Sequence, residues 1–371
     1  MPKVYITATG RVSAPLDGSG LLPDAHLGGR LSGRAPVQAA AGELRLHALA
    51  RQASERALAG LPHLERLAPE EKAVFLSASK GALEVFDAGV HDLGPALWRW
   101  LSSSPGQALR DRLGWLGGGR NTPLACATGA YSLGLAYESI VGGRLQAALA
   151  GAAEASLTPL AAAAFANLGA LSPARSAEDY RGPFDRRRQG FILGEGAGAL
   201  VLEGEAGLAL TGHQPLAELR GWGCTCDAYH LTAPEPHGRE AARCIRLALQ
   251  QAGLRAEDIA YVNAHGTGTV AGDEAEASAL HSVFGDRPGL RVSSIKGATG
   301  HTLGAAGAVE AVVTVEALAS GCLPVNAACG QPMPSMAPWL VTRAERLQGR
   351  HAVSLSMGFG GHNVALVFSL P

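Results

Sequence analysis

Short apolar segments that stop at glycine-containing connections alternate with longer helical patterns, and this alternation constrains the fold more than any other feature of the chain. Val4 to Ala8, Ala73 to Ser77, Ala147 to Ala150, Leu200 to Leu202, Leu216 to Trp222, Ile259 to Asn263 and Val292 to Ser294 read as short strands. Ala352 to Ser356 and Val364 to Phe368 flank a glycine turn and predict a hairpin. Between them, Leu44 to Leu58, residues 86–116, the stretch running to Ile140, and Arg239 to Gln251 carry helical spacing. Ala305 to Ala319 is almost uniformly apolar, which predicts a buried helix. Residues 9–36, rich in Gly, Pro and Leu, read as loop. Strands alternating with helices imply α/β layers. A weak compositional break falls near 204–214.

Composition narrows the function classes. A chain of 371 residues that is 47% apolar and 17% charged can bury a large two-lobed core. Lys plus Arg is 31 and Asp plus Glu is 32, which gives no electrostatic case for a nucleic-acid partner. The six cysteines follow no framework spacing, and Cys224-x-Cys226 matches no zinc pattern, so a reduced compartment is expected. Met1 to Ile6 runs straight into a strand without a charged head and apolar signal core. No apolar run reaches a membrane span free of Gly, Pro or charge, so a cytoplasmic protein is expected.

Four segments join a reactive side chain to glycine-rich backbone. Cys126 sits at a strand-to-helix junction, where unpaired N–H groups can favour a thiolate. A small buried core cysteine would have the same surroundings. His265, in Asn263-Ala264-His265-Gly266-Thr267-Gly268-Thr269, ends a strand and faces either a pocket or a structural hydrogen bond. Lys296 precedes Gly297-Ala298-Thr299-Gly300-His301 and is one of only four lysines in the chain. His301 opens the apolar helix, whose N-terminal dipole keeps the imidazole neutral. Met357-Gly358-Phe359-Gly360-Gly361 is either a plain turn or a source of backbone N–H donors with an aromatic gate. HExxH, GxSxG and Walker A motifs are absent. Gly194-Glu195-Gly196-Ala197-Gly198 precedes a strand rather than opening a helix, which speaks against phosphate binding.

Six ordered motifs make the sequence resemble the β-ketoacyl-acyl-carrier-protein synthases, with synthase II and the type II polyketide ketosynthases as the nearest branch. They are ACATG at 125–129, PFDRRRQGFILGEGAGALVLE at 183–203, CDAYHLTAPEPHG at 226–238, NAHGTGT at 263–269, IKGATGH at 295–301 and GFGG at 358–361. The first 120 residues match loosely. The resemblance implies a thiolase-like α/β fold of two similar halves, 1–210 carrying the cysteine and 211–371 carrying the histidines and lysine, layered αβαβα. It implies an acyltransferase that condenses an acyl-enzyme thioester with malonyl-acyl carrier protein, losing carbon dioxide, in fatty acid or polyketide (for instance aryl-polyene) synthesis.

The resemblance also distributes roles. Cys126 would hold the acyl group. His265 and His301 would bind the malonyl thioester carbonyl. The N–H groups of Cys126 and Phe359 would form the oxyanion hole, and Phe359 would gate the pocket. Lys296 would support the histidines, with Glu276 as its ion-pair partner. No cofactor or metal is implied. Arg186, Arg187 and Arg188 are either a solvated loop or part of the docking surface for an acidic carrier protein. The expected partners are acyl and malonyl carrier proteins and a second subunit, identical or resembling a chain-length factor. A ketosynthase active only with such a factor is the alternative, and a non-catalytic partner subunit a further one. The chain is shorter before Cys126 than is usual for the family. Ile295 and His362 stand where Thr is common.

Overall fold

The computed structural model describes residues 2–87, 97–210 and 214–371. Its centre is a nine-stranded sheet formed by β1 (Val4–Val12), β2 (Lys72–Ser77), β3 (Ala147–Glu154), β4 (Gly196–Gly204), β5 (Ala217–Cys226), β6 (Tyr261–Asn263), β7 (Arg291–Ser293), β8 (His351–Gly358) and β9 (His362–Ser369), in the order β7-β6-β8-β9-β5-β1-β4-β3-β2. Outward from the centre, β1-β4-β3-β2 takes the first, last, penultimate and second strands of its half. On the other side, β5-β9-β8-β6 follows the same path and adds β7. The halves meet where β1 and β5 pair antiparallel, Val4 opposite Leu219 and Ile6 opposite Ala217. The expected division at 210/211 borders 211–213, which lie outside the described residues.

The long helices that build the layers are α1 (Arg45–Leu58), α2 (Thr128–Val141), α3 (Arg239–Ala252), α4 (Val270–Phe284) and α5 (Ala306–Ser320). The period-2 geometry of the strands assigns their side chains to layers. Val74 and Leu76 pack outward with Leu46 and Leu49 of α1, while Ala73 and Phe75 pack inward. In the other half Val353 and Leu355 pack outward with Ile245 of α3 and Leu280 of α4. Ala352, Leu366 and Phe368 join Leu133 of α2 and Val312 of α5 in the central core. Helix, sheet, paired central helices, sheet and helices therefore stack as αβαβα. β3 is buried along its whole length because both of its faces are covered.

The central helices cross at glycine. A Cβ on Gly129 would lie 2.5 Å from the Ala308 nitrogen, and one on Gly307 would lie 2.8 Å from the Ala130 nitrogen. Only glycine permits this approach, and it brings the N-terminal ends of α2 and α5 together. Gly129→Val should therefore destabilise the fold by about 3 kcal/mol, read as a lowered denaturant midpoint, because the opposing contact is backbone and cannot rotate away. An unchanged midpoint would refute the close crossing. The stretch Leu303–Ser320 is apolar and long enough to cross a membrane, but 83% of it is buried inside the protein.

Several expectations shift. Residues 9–36 are not all loop: β1 continues to Val12, and Leu21–Asp24 pairs with Arg30–Gly33. The helix expected over 86–116 resolves into a 3-10 turn at Leu97–Trp100, holding Trp98 and Trp100, and a helix at Ser104–Leu113, with Trp115 beyond it. Residues 88–96 of that span lie outside the described residues. α4 carries no clear apolar period because its buried face includes Asp273 and Glu276.

Candidate active site

The ends of the central helices build the site. Ala125–Ala127 forms a 3-10 turn leading into α2, with Ala125 at φ 45°, a left-handed conformation unfavourable for a residue with a Cβ. Thr128 Oγ1 accepts the Leu124 N–H at 2.8 Å and donates to the Ala125 carbonyl at 2.7 Å, which holds the turn. Leu303–Ala305 repeats the arrangement before α5, with Leu303 at φ 48°. Cys126 is 7% exposed. Burial pushes its thiol up, while Lys80 and Lys296 pull it down and Glu154 pushes it further up.

His265 leaves β6 on a loop pinned by Glu276, which accepts the N–H groups of His265 at 2.6 Å and Gly266 at 2.7 Å. Burial pushes the Glu276 carboxyl up to about 8, against the pull of those N–H groups. Lys296 Nζ donates to the His265 carbonyl and to the Glu310 carboxylate and lies 3.3 Å from His265 Nδ1. An ammonium only donates, so Nδ1 must accept and the ring hydrogen resides on Nε2. His301 reaches the same tautomer by another route, since its Nδ1 accepts the Leu303 N–H at 3.3 Å. The two rings stand edge to face with centroids 5.4 Å apart. Burial, then the Lys296 charge, holds both imidazoles well below 6.5.

Those rings should therefore remain neutral as the solution is acidified. Unfolded imidazoles bind protons near 6.5 that the buried rings refuse, so their contribution to stability is lost as pH falls. Ring NMR signals of His265 and His301 should stay fixed between about pH 7.5 and 5.5, a range that spans the ordinary imidazole value. Titration of either ring near 6.5 would contradict this environment.

One cavity of about 510 Å³ reaches Cys126, His265, His301 and Phe359. Phe165 and Phe191 form its apolar wall, with Phe191 5.1 Å from the His301 ring and Phe165 6.3 Å from Phe359. The Phe359 backbone N–H pulls the Cys126 thiol down. Gly358 lies against the Cys126 nitrogen, 3.3 Å from where its Cβ would be. The strand-to-turn segment thus brings the Phe359 backbone beside the sulfur, in the cavity that both imidazoles line. Among the described residues, no three His, Cys, Asp or Glu side chains gather as they would for a metal ion.

Two expectations need correction. Glu276 is not the ion-pair partner of Lys296. Glu310 is, from α5, because Glu276 is committed to the backbone of the His265 loop. Arg188 belongs neither to a solvated loop nor to an accessible docking surface. It is 6% exposed, pairs with Asp273 at 3.1 Å and donates to the Val270 carbonyl at 3.0 Å. Arg186 and Arg187 are exposed, and Arg187 pairs with Asp185 at 3.2 Å. Sequence reasoning also missed Glu154, Phe165, Phe191 and Glu310. Glu310 alone carried a signal, as one of two carboxylates, with Glu316, in a largely apolar helical stretch.

The chain is similar to known proteins over most of its length. Residues 119–206 match the model of the β-ketoacyl synthase N-terminal domain and 216–329 that of the C-terminal domain. The 3-oxoacyl-[acyl-carrier-protein] synthase 2 of Staphylococcus aureus is 37% identical over 307 residues, covering 80% of this chain and 76% of the relative. That of Synechocystis is 40% identical over 263 residues, covering 69% of this chain and 62% of the relative. The match to the Synechocystis protein thus spans less than two thirds of its length. A β-ketoacyl synthase from Burkholderia phymatum superposes over 100% of both chains, with a TM-score of 0.89 at 32% identity. A ketosynthase, ApeO, solved in complex with its chain length factor, ApeC, from Xenorhabdus doucetiae, superposes over 100% of this chain and 98% of its own, with a TM-score of 0.81 at 26% identity. With the six motifs, the two-half fold and relatives of this extent in agreement, the chain belongs to the β-ketoacyl synthase family.

Proposed function

We propose that the protein is a β-ketoacyl-acyl-carrier-protein synthase that uses Cys126 as nucleophile and His265 with His301 as paired donors. The observation that carries this reading is the meeting of one thiol and two imidazoles, each with its Nδ1 engaged and its ring hydrogen on Nε2, in a single cavity. In the first half-reaction the Cys126 sulfur attacks an acyl-carrier thioester. The carbonyl oxygen takes up negative charge against the N–H groups of Cys126 and Phe359, and the carrier thiol leaves with the proton. In the second, the malonyl thioester carbonyl accepts from both Nε2–H groups. The bond to the carboxylate breaks, carbon dioxide leaves, and the electron pair remains as an enolate that those donors stabilise. The enolate carbon then attacks the acyl-Cys126 carbonyl. A carbon–carbon bond forms, the carbon–sulfur bond breaks, the sulfur regains a proton, and a β-ketoacyl-carrier departs.

Lys296 acts through His265, whose tautomer it fixes, and Glu310 balances its charge. Phe359, facing Phe165 at the cavity wall, gates the acyl group. The proposed partners are acyl and malonyl carrier proteins and a second subunit, which is either another copy or a chain-length-factor-like chain. Exposed Arg186 and Arg187 offer cations to an acidic carrier. Six free cysteines fit a reducing compartment, and the cytoplasm is the proposed location. The test is to supply acyl and malonyl carriers, with and without a candidate partner subunit, and follow β-ketoacyl-carrier by mass. Product in either arm supports the reading, and its absence across chain lengths in both arms contradicts it.

A further inference from the structure

Glu154 is a fully buried carboxylate at the end of β3, beside the nucleophile. It accepts the Ser79 N–H at 3.0 Å, the Ser79 hydroxyl and the Gly304 N–H at 3.0 Å. Among the described residues, no cation stands within ion-pair distance of it. A buried anion there opposes formation of a second anion on Cys126. The cation nearest to it through bonded contacts is Lys80, which donates from Nζ to Ser79 Oγ at 2.7 Å. The same Nζ lies 5.7 Å above the ring of Phe165, which packs in one apolar cluster with Cys126, Phe191 and Leu303. The ammonium is thus held from two sides, by a hydroxyl bonded to Glu154 and by the face of a cavity-wall ring.

The charges facing Cys126 complete the balance. Lys296 is matched by Glu310 in direct contact, and His265 and His301 are neutral. Against burial, Lys80 and Lys296 pull the Cys126 thiol down, and Glu154 pushes it up. We propose that Lys80 is a positioning residue whose ammonium, relayed through Ser79, offsets Glu154 and stabilises the thiolate form of Cys126. This inference rests on the reading of Cys126 as nucleophile. Lys80 is exposed, so its influence reaches the sulfur partly through solvent and weakens with salt.

The test follows alkylation of Cys126 by iodoacetamide across pH, read on the peptide that contains it, in the wild type, Lys80→Met and Lys80→Arg. The midpoint of the rate profile should rise in Lys80→Met, slowing alkylation ~3–10-fold at a pH below it, as a shift of roughly 0.5–1 unit requires. Lys80→Arg should restore the wild-type midpoint, and high salt should shrink the difference. Lys80→Gln serves if thermal unfolding shows the methionine variant misfolded. A neutral variant that slows alkylation without moving the midpoint, or that superposes on the wild type, overturns the proposal. Acylation of wild-type Cys126 by an acyl-carrier thioester is followed in parallel. Its failure would count against the nucleophile reading itself, whatever Lys80 does.

Discussion

Cys126→Ala should abolish condensation by at least ~10⁴-fold while leaving the protein folded, since covalent acyl transfer has no second route once the sulfur is gone. The alanine removes one small buried atom from a turn whose shape is held by Thr128 and the left-handed Ala125. Stability should therefore change by no more than about 1.5 kcal/mol. The variant keeps both imidazole donors, so loss of carbon dioxide from malonyl carrier should persist without any acyl acceptor. This dissociation is the informative part. Chain elongation measured with that variant would refute the covalent step. Loss of decarboxylation as well, in a folded variant, would show that the sulfur does more than carry the acyl group.

The converse holds for the histidines. His265→Ala and His301→Ala should each slow malonyl decarboxylation by ~10²–10³-fold, the usual effect of removing one preorganised donor from a developing oxyanion. Acylation of Cys126 should survive, because the donors proposed for its oxyanion are the backbone N–H groups of Cys126 and Phe359 rather than the imidazoles. Loss of His265 also strips Lys296 of the ring it orients and leaves the buried Lys296–Glu310 pair facing a void. His265→Ala should therefore destabilise the protein more than His301→Ala, read as a lower thermal midpoint. Equal loss of acylation and decarboxylation in both variants would contradict the division of labour.

What the sequence disclosed depended on whether a local pattern carried the cause. The hairpin, the amphipathic α3 and the buried α5 were legible because their apolar spacing is the reason they pack. Cys126, His265, Lys296 and His301 stood out because each lies in a glycine-containing motif, but the strand expected before Cys126 is absent, residues 114–124 being irregular, and His301 follows the helical turn Lys296–Thr299. α4 was not, since its buried face spends two positions on Asp273 and Glu276, which hold the backbone of neighbouring loops. The partner of Lys296 was misassigned for a related reason. The resemblance pointed to Glu276, but the crossing of α2 and α5 at Gly129 and Gly307 sets the α5 carboxylate under the lysine. The Glu154–Ser79–Lys80 chain joins two strand ends far apart in sequence, and no spacing rule connects them.

The claim on which the account rests is that one sulfur holds the growing acyl group. Intact-mass measurement after incubation with acyl-carrier thioesters, alone and with a candidate partner subunit, tests it most directly. The account predicts a single added acyl mass per chain, mapped to Cys126, lost in Cys126→Ala and discharged by malonyl carrier with release of carbon dioxide. An adduct on another cysteine, or no adduct at any chain length in either arm, would contradict it.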